Sequence, residues 1–370
     1  MTNNPIHAPL ISRSIEVIKD GQAATGAYLA SPTFPTYQYS WFRDGAFIAD
    51  AMSRVGEIAS AEAFFGWCDR ILTDRRDQIL DLVARGERDV EDVALTEHLH
   101  TRYTVDGEES GTEWQDFQLD GYGTWLWALD QHSARHGRDR TAVAEGAELT
   151  VRYLCVFWSS PFYDWWEENG HRRHPSSLAP IRRGLLAASR WPELDADLRA
   201  RAAVVAQEIA DLVAAEGLHD GHLTKYFGSE EVDASLIACI TPFELYPMGH
   251  PIAAATIERI ERELAPAGVY RFLKDTYYGG GEWILLAGFL GWHYSEAGNL
   301  SRARELADWI AAQADASLDL PEQVDTHALH PERVAEWVER WGPSASPLLW
   351  SHAMYLTLAT SLRMTGVPDR

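Results

Sequence analysis

The sequence is poor in cysteine, in basic charge and in long apolar runs. Its three cysteines, Cys68, Cys155 and Cys239, lie far apart, with no CxxC or mixed Cys/His spacing. That excludes a disulfide framework and a thiolate metal site, and leaves buried free thiols as the expectation. The histidines form no HxH or HExxH set, so no metal is expected, nor any other cofactor. His171 and His174 flank a polar turn and are expected to face solvent. Lys and Arg total 32 against 55 Asp and Glu, a net charge of −23. Nucleic-acid phosphates and anionic membranes, which require basic patches, are thereby disfavoured as partners. No apolar run reaches the ~18 residues of a membrane helix. The first residues show no basic stretch followed by an apolar core, so a cytoplasmic location is expected. The sequence sets no oligomeric state.

Strand-like alternation is also scarce. Periodic apolar patterns predict an all-α chain with twelve helices, at about 5–24, 42–57, 58–85, 120–136, 139–158, 178–190, 195–214, 232–240, 250–265, 282–297, 300–316 and 347–366. Their connections alternate in length. Long ones cover 25–41, 86–119, 159–177, 215–231, 266–281 and 317–346, and shorter ones fall between. In antiparallel helices alternate connections lie at opposite ends, so all six long loops are expected on one end. The pattern predicts six helical hairpins closed into an (α/α)6 barrel, one domain over residues 1–370, with an open hairpin solenoid as the other solution.

Aromatics are abundant, with 15 Trp, and the long loops concentrate them beside carboxylates. The stretch from Phe162 to His174, FYDWWEENGHRRH, sets Asp164 before Trp165-Trp166 and Glu167-Glu168 after them. An apolar platform against a carboxyl raises its pKa, and a carboxyl neutral near pH 7 suits a general acid. Flat rings suit sugar faces. The plainer reading is an exposed acidic turn. The first long loop ends in PTYQYSWFRDG, with Tyr37, Tyr39, Trp41, Arg43 and Asp44. An Arg–Asp pair can bind the hydroxyls of one sugar in two directions, while Asp44 also suits a helix N-cap. The second brings Trp114, Asp116, Gln118 and Asp120, the last either a ligand or a cap. In the fourth, Tyr226 and Phe227 either line a pocket or seal the loop. The fifth, VYRFLKDTYYGGGEW, offers Arg271 as a fixed cation, a Lys274–Asp275 pair, and three glycines that permit close backbone approach but make no nucleotide loop. The sixth carries Glu322 after Pro321, a second carboxylate on the same end, and paired carboxyls are the usual equipment for glycoside hydrolysis.

The segments YQYSWFRDG, DFQLDGYG, DWWEENG, VYRFLKDTYYGGGEW, LPEQV and PLLWSHAMY run in one order from residue 37 to 355. In that order they resemble glycoside hydrolase family 15, the group of glucoamylases, glucodextranases and isomaltose glucohydrolases. The resemblance implies an (α/α)6 barrel and an inverting exo-α-glucosidase that releases β-glucose from non-reducing ends. It implies Glu167 as general acid, Glu322 as general base, and Arg43 and Asp44 as the grip on the terminal glucose. Trp41, Trp114, Glu168, Arg271 and Trp283 match pocket positions, and Tyr37 matches a tyrosine near the attacking water. Asp120 and Trp166 join them as candidate substrate contacts. Glu167 is then expected neutral beside its tryptophans, and Glu322 ionised in a wetter setting.

Neither the β-sandwich domain of many bacterial relatives nor a starch-binding module is expected from these residues. The acidic-aromatic insert between Glu322 and PLLWSHAMY, with Pro331 to Trp341, is expected to fold over the pocket mouth as a short helix and restrict the leaving group. Both features point to isomaltose or short α-1,6 oligosaccharides. The alternatives are the same chemistry on maltose, trehalose or a small glucoconjugate, a phosphorylase on a related barrel, or a non-catalytic sugar-binding barrel.

Overall fold

The computed structural model describes residues 5–111, 114 and 116–366. Among them the main helices are α1 (His7–Asp20), α2 (Phe42–Arg54), α3 (Ile58–Asp74), α4 (Arg76–Gly86), α5 (Asp120–His136), α6 (Ala144–Phe157), α7 (Pro175–Ala188), α8 (Ala196–Glu216), α9 (Leu236–Ile240), α10 (Pro251–Leu264), α11 (Ile284–Glu296), α12 (Leu300–Ala312), α13 (Val334–Trp341) and α14 (Leu349–Ser361).

Sequence decides which helices are inside. In α11, ILLAGFLGWHYSE, every residue from Ile284 to His293 is buried, and α14 is buried from Leu349 to Thr360. A helix apolar all round can only be satisfied in an interior. By contrast α12 buries Ala303, Leu306, Ala307, Ile310 and Ala311, one stripe at helical spacing, and leaves the rest half-buried or exposed. The inner helices touch in the order α2, α5, α7, α9, α11, α14 and back to α2, which closes the ring. Outer helices α1, α3, α6, α8, α10 and α12 pack against it. The chain therefore forms the (α/α)6 barrel, and the open solenoid is excluded by the contact of α14 with α2.

Each long connection runs from an outer helix to the start of an inner one. Three two-residue ladders brace these loops, two of them joining different loops and the one at 218–223 closing a hairpin within the fourth. Ser40–Trp41 pairs with Arg102–Tyr103, Leu218–His219 with His222–Leu223, and Glu282–Trp283 with Gln323–Val324.

Several predicted boundaries move. The helix expected over 58–85 is two, broken at Arg75, whose guanidinium turns to the carbonyls of Ile71 and Gly107. The helix expected over 232–240 is only Leu236–Ile240, because Asp233 and Ser235 fold into a hydrogen-bonded turn. Glu282 and Trp283, expected in a helix, are strand.

Glycines set the closest inner contacts. A Cβ on Gly184 of α7 would lie 2.5 Å from the Gly123 carbonyl oxygen of α5, and one on Gly123 would lie 2.5 Å from that of Pro180. Neither backbone can yield cheaply, and overpacking a core costs about 1–3 kcal/mol. Gly184→Ala is accordingly expected to lower the Tm. An unchanged thermal midpoint would show that α5 and α7 can move apart.

Candidate active site

The long loops enclose a cavity of about 510 Å³, within the usual range for small-molecule sites. Tyr37, Trp41, Arg43, Asp44, Trp114, Trp165, Trp166, Glu167, Glu168, Arg271, Tyr277, Trp283, Glu322 and Trp350 are among its lining residues. Of the residues expected from sequence to be catalytic or substrate-binding, all but Asp120 line it.

Arg43, in the first turn of α2, is 3% exposed. It donates through Nη1 to Gln118 Oε1 at 2.9 Å and Asp120 Oδ2 at 3.1 Å, and through Nη2 to Glu167 Oε1 at 3.3 Å. Its Nε lies 3.4 Å from Asp44 Oδ2. The guanidinium faces the rings of Trp165 and Trp350. Burial works against its charge, but Asp120, Asp44 and Glu167 outweigh burial and hold its pKa above the ordinary value. Asp120 does not line the cavity. It is wholly buried, caps no helix and supports Arg43 from behind. Asp44 is no cap either, as it lies inside α2 and faces the cavity. Burial pushes its pKa up to about 6, against the pull of Arg43.

Glu167 sits in a strained turn. Its φ is 57°, and that of Asn169 is 53°, a region costly for residues with a Cβ. Asp164 organises the turn: its Oδ1 accepts the Trp166 and Glu168 N–H groups at 3.0 and 2.9 Å, and its Oδ2 accepts Asn169 Nδ2 at 3.3 Å. Burial raises the Glu167 pKa to about 7, Arg43 opposes, and Asp44 and Asp164 add to the rise. Trp165 is core, packed on Phe47, Phe289 and Trp350. Trp166 donates its indole N–H to Asp233 and lies against Trp283.

Glu322 is fixed by its backbone, with its N–H on the Ala345 carbonyl and its carbonyl accepting from Ile284. Tyr37 donates to Glu322 Oε1 at 2.9 Å, and the Tyr277 hydroxyl lies 3.0 Å from that of Tyr37. The expected wetter setting is not found: Glu322 is 2% exposed, while the Glu167 side chain is 19% exposed. Burial drives Glu322 to about 7 as well, and the Tyr37 hydrogen bond and Arg271 oppose it. Between the two carboxyls, then, the difference lies in the donors that serve each anion.

Arg271 is paired with Asp275 and flanked by Trp166, Tyr277 and Trp283. Lys274 pairs with Glu231, so the expected Lys274–Asp275 pair does not form. Adjacent residues diverge, while Arg271 and Asp275, four apart, converge. Glu168 lies 3.8 Å from Lys225 Nζ and 4.0 Å from Arg271 Nη2. The fourth loop contributes Lys225 and Asp233 behind Trp166; Tyr226 and Phe227 do not line the cavity. His174, expected exposed, is fully buried against the carbonyls of Asn169 and Lys225, and burial lowers its pKa to about 4. No group of His, Cys, Asp and Glu among the described residues could hold a metal, and no helix described is long and apolar enough to cross a membrane.

Sequence reading missed Asp164, Trp350 and Trp337 as site builders. Asp164 and Trp350 stood inside the quoted motifs DWWEENG and PLLWSHAMY, and only their partners reveal their work. The insert forms α13, and Trp337, Arg340 and Trp341 line the cavity, so the expected short helix over the mouth is present.

Among the residues that line the cavity, the indole nitrogens of Trp41, Trp114, Trp165, Trp283 and Trp350 are buried with no hydrogen-bond partner in the protein, and Arg43 Nε and Asp44 Oδ2 have only each other, at 3.4 Å.

A closed helical ring holding two protonatable carboxyls in such a cavity defines the helical-barrel class of glycoside hydrolases. Comparison with known proteins specifies it further. Residues 7–318 match the model of glycosyl hydrolases family 15, and the chain belongs to that family. It is 48% identical over 357 residues to an isomaltose glucohydrolase of Kribbella flavida, covering 95% of this chain and 92% of that protein. A glycosidase solved in complex with glucose superposes with a TM-score of 0.94 at 47% identity, covering 97% of each chain. A bacterial glucoamylase complexed with acarbose shares the fold, with a TM-score of 0.75 at 18% identity over 98% of this chain and 57% of that one.

The raised pKa of Glu322 has a consequence for stability. A carboxyl whose folded pKa exceeds its unfolded value stabilises fully below the unfolded pKa, and that contribution is lost as pH rises through the folded one. For Glu322 the window runs from 4.5 to about 7. The Tm advantage of Glu322→Gln over the parent should grow between pH 4.5 and pH 8. A pH-independent difference would refute the buried, raised carboxyl.

Proposed function

We propose that this protein is an inverting exo-α-glucosidase that releases β-glucose from isomaltose or short α-1,6 gluco-oligosaccharides. Its 370 residues act as one catalytic domain in the cytoplasm. The observation that carries the reading is the pair Glu167 and Glu322 lining one cavity, each with a donor for its ionised form. The name and 48% identity of the Kribbella relative support the substrate.

In this reading Arg43 and Asp44 grip the terminal glucose, with Trp41, Trp114, Trp166, Glu168, Arg271 and Trp283 around it. Glu167 gives its proton to the glycosidic oxygen. The carboxylate left behind is stabilised by Arg43 Nη2, 3.3 Å away, since a charge-assisted bond strengthens as charge forms. Glu322 takes a proton from water as that water attacks the anomeric carbon. Inversion requires room for this water between the carboxyls, which corresponds to about 6.5–9.5 Å. Tyr37, hydrogen-bonded to Glu322, is placed to steer the water. No metal or cofactor takes part.

Product analysis on isomaltose, maltose and trehalose, with the anomer followed in real time, tests the proposal. Isomaltose should be the best of the three and should yield β-glucose first. Glu167→Gln should lower kcat on isomaltose by about 10²–10⁴-fold. Preference for maltose or trehalose would move the assignment to another α-glucoside, full activity of the variant would remove Glu167 as the acid, and no hydrolysis by the parent would leave a sugar-binding barrel.

The leaving-group limit is assigned to α13. Trp341, 38% exposed, and Arg340 line the outer cavity, where a third sugar would pass. Trp341→Ala should raise kcat/KM for isomaltotriose relative to isomaltose by about threefold or more, the worth of one modest apolar contact. An unchanged ratio would remove α13 from chain-length selection.

A further inference from the structure

α13 also reaches the other side of the chemistry. The Trp337 ring lies edge-on to Tyr277 with centroids 5.0 Å apart and stacks on Tyr278 at 6.1 Å. Its indole N–H donates to the carbonyl of Thr276 at 2.8 Å, the residue just before Tyr277. Tyr278 donates back to the Gly342 carbonyl, directly after α13. The adjoining glycines admit the same segment. The Leu329 and His330 N–H groups bond the carbonyls of Gly280 and Gly279, and a Cβ on Gly279 would lie 2.6 Å from Val334 Cγ2. The tyrosine turn and α13 are therefore one packed unit, and its inward end is the Tyr277 hydroxyl beside Tyr37, which bonds Glu322.

We propose that Trp337 is a positioning residue for the general base, holding Tyr277 so that the Tyr277–Tyr37 hydroxyl pair keeps the Tyr37 donor on Glu322. This rests on Glu322 being the base. The charged and titratable groups facing this assembly are Arg271, whose guanidinium lies 5.2 Å from the Tyr277 ring, Asp275, which accepts the Tyr277 N–H, and Arg340 beside the Trp337 ring. Tyr37, Tyr277 and Tyr278 complete the set around Glu322.

A wall residue that only touches the leaving sugar gives a different result from one that supports the base. α-Glucosyl fluoride separates them. Water attacks the anomeric carbon, the C–F bond breaks, fluoride leaves with the bonding pair, and the water's proton passes to Glu322. No second sugar and no acid are needed. Trp337→Ala should lower kcat on the fluoride by about tenfold or more, as expected for a misplaced reacting group. The acidic limb of kcat/KM should move to higher pH, because the Tyr37 hydrogen bond that favours the ionised base is weakened. Trp337→Phe, which keeps a ring against Tyr277, should retain most of the rate, and Tm measurements establish that both variants fold. Fluoride turnover within twofold of the parent, or a fall with the acidic limb unmoved, overturns the inference. Glu322→Ala is the control: wild-type fluoride turnover there would overturn the base assignment itself, whereas an inactive Glu322→Ala beside an unaffected Trp337→Ala would overturn only the role of Trp337.

Discussion

One buried guanidinium governs the site. Arg43 meets Asp44, Asp120, Glu167 and the Gln118 side-chain oxygen from two different loops and two inner helices. Without it, three acids would share one dry wall, and removing one partner of a buried pair costs about 3–5 kcal/mol. The arrangement also explains how acid chemistry is possible beside a cation. Asp120 and Asp44 take up much of the positive charge, so Glu167 is pulled down less than burial pushes it up and stays near 7. Had Arg43 served Glu167 alone, the carboxyl would be held ionised and useless as a proton donor.

The barrel supplies this precision by making its loops depend on each other. Trp41 is paired with Arg102 across one ladder, and Trp283 with Gln323 across another. The second ladder places Glu322 against the start of α11. Arg102 stacks its guanidinium on Tyr39 and Trp114, which couples the first two loops again. The Gly279–Gly281 run has its explanation here: Gly279 and Gly280 have φ of 78° and 68°, a region that favours glycine, and the backbone of the insert docks on them. Specificity and catalysis consequently share parts, since the segment that narrows the mouth also buttresses the tyrosines behind the base.

Sequence carried the architecture because connection length is a one-dimensional trace of a three-dimensional fact. Outer-to-inner turns build the site and are long; inner-to-outer turns, such as 55–57 and 297–299, are short. The acid was legible from its tryptophans. The setting of Glu322 was not, since nothing near LPEQV in the chain tells that Trp283, Tyr37 and the insert exclude water from it. The same holds for His174, polar in its local company yet walled in by Lys225 and Tyr226 from a distant loop. Lys274 and Asp275 looked like a pair because they are neighbours, but side chains one apart on a turn point away from each other. Asp120 read equally as a cap or a ligand because the residue it serves, Arg43, is 77 positions away.

The conformation of Glu167 shows what such a site costs locally. A left-handed non-glycine residue costs on the order of 1–3 kcal/mol. Asp164 offsets this with three side-chain hydrogen bonds to the following residues, each worth about 0.5–1.5 kcal/mol net. The two amounts are comparable, so the turn can persist without help from substrate. Its benefit is directional. Two consecutive glutamates are delivered to different cations, Glu167 to Arg43 and Glu168 toward Arg271 and Lys225. Within α2 or α5, both set by helical geometry, neighbouring side chains are fixed about 100° apart, and neither could reach across the cavity. A strained loop on a rigid ring places two adjacent carboxyls independently, and only one of them then has to be held near neutrality.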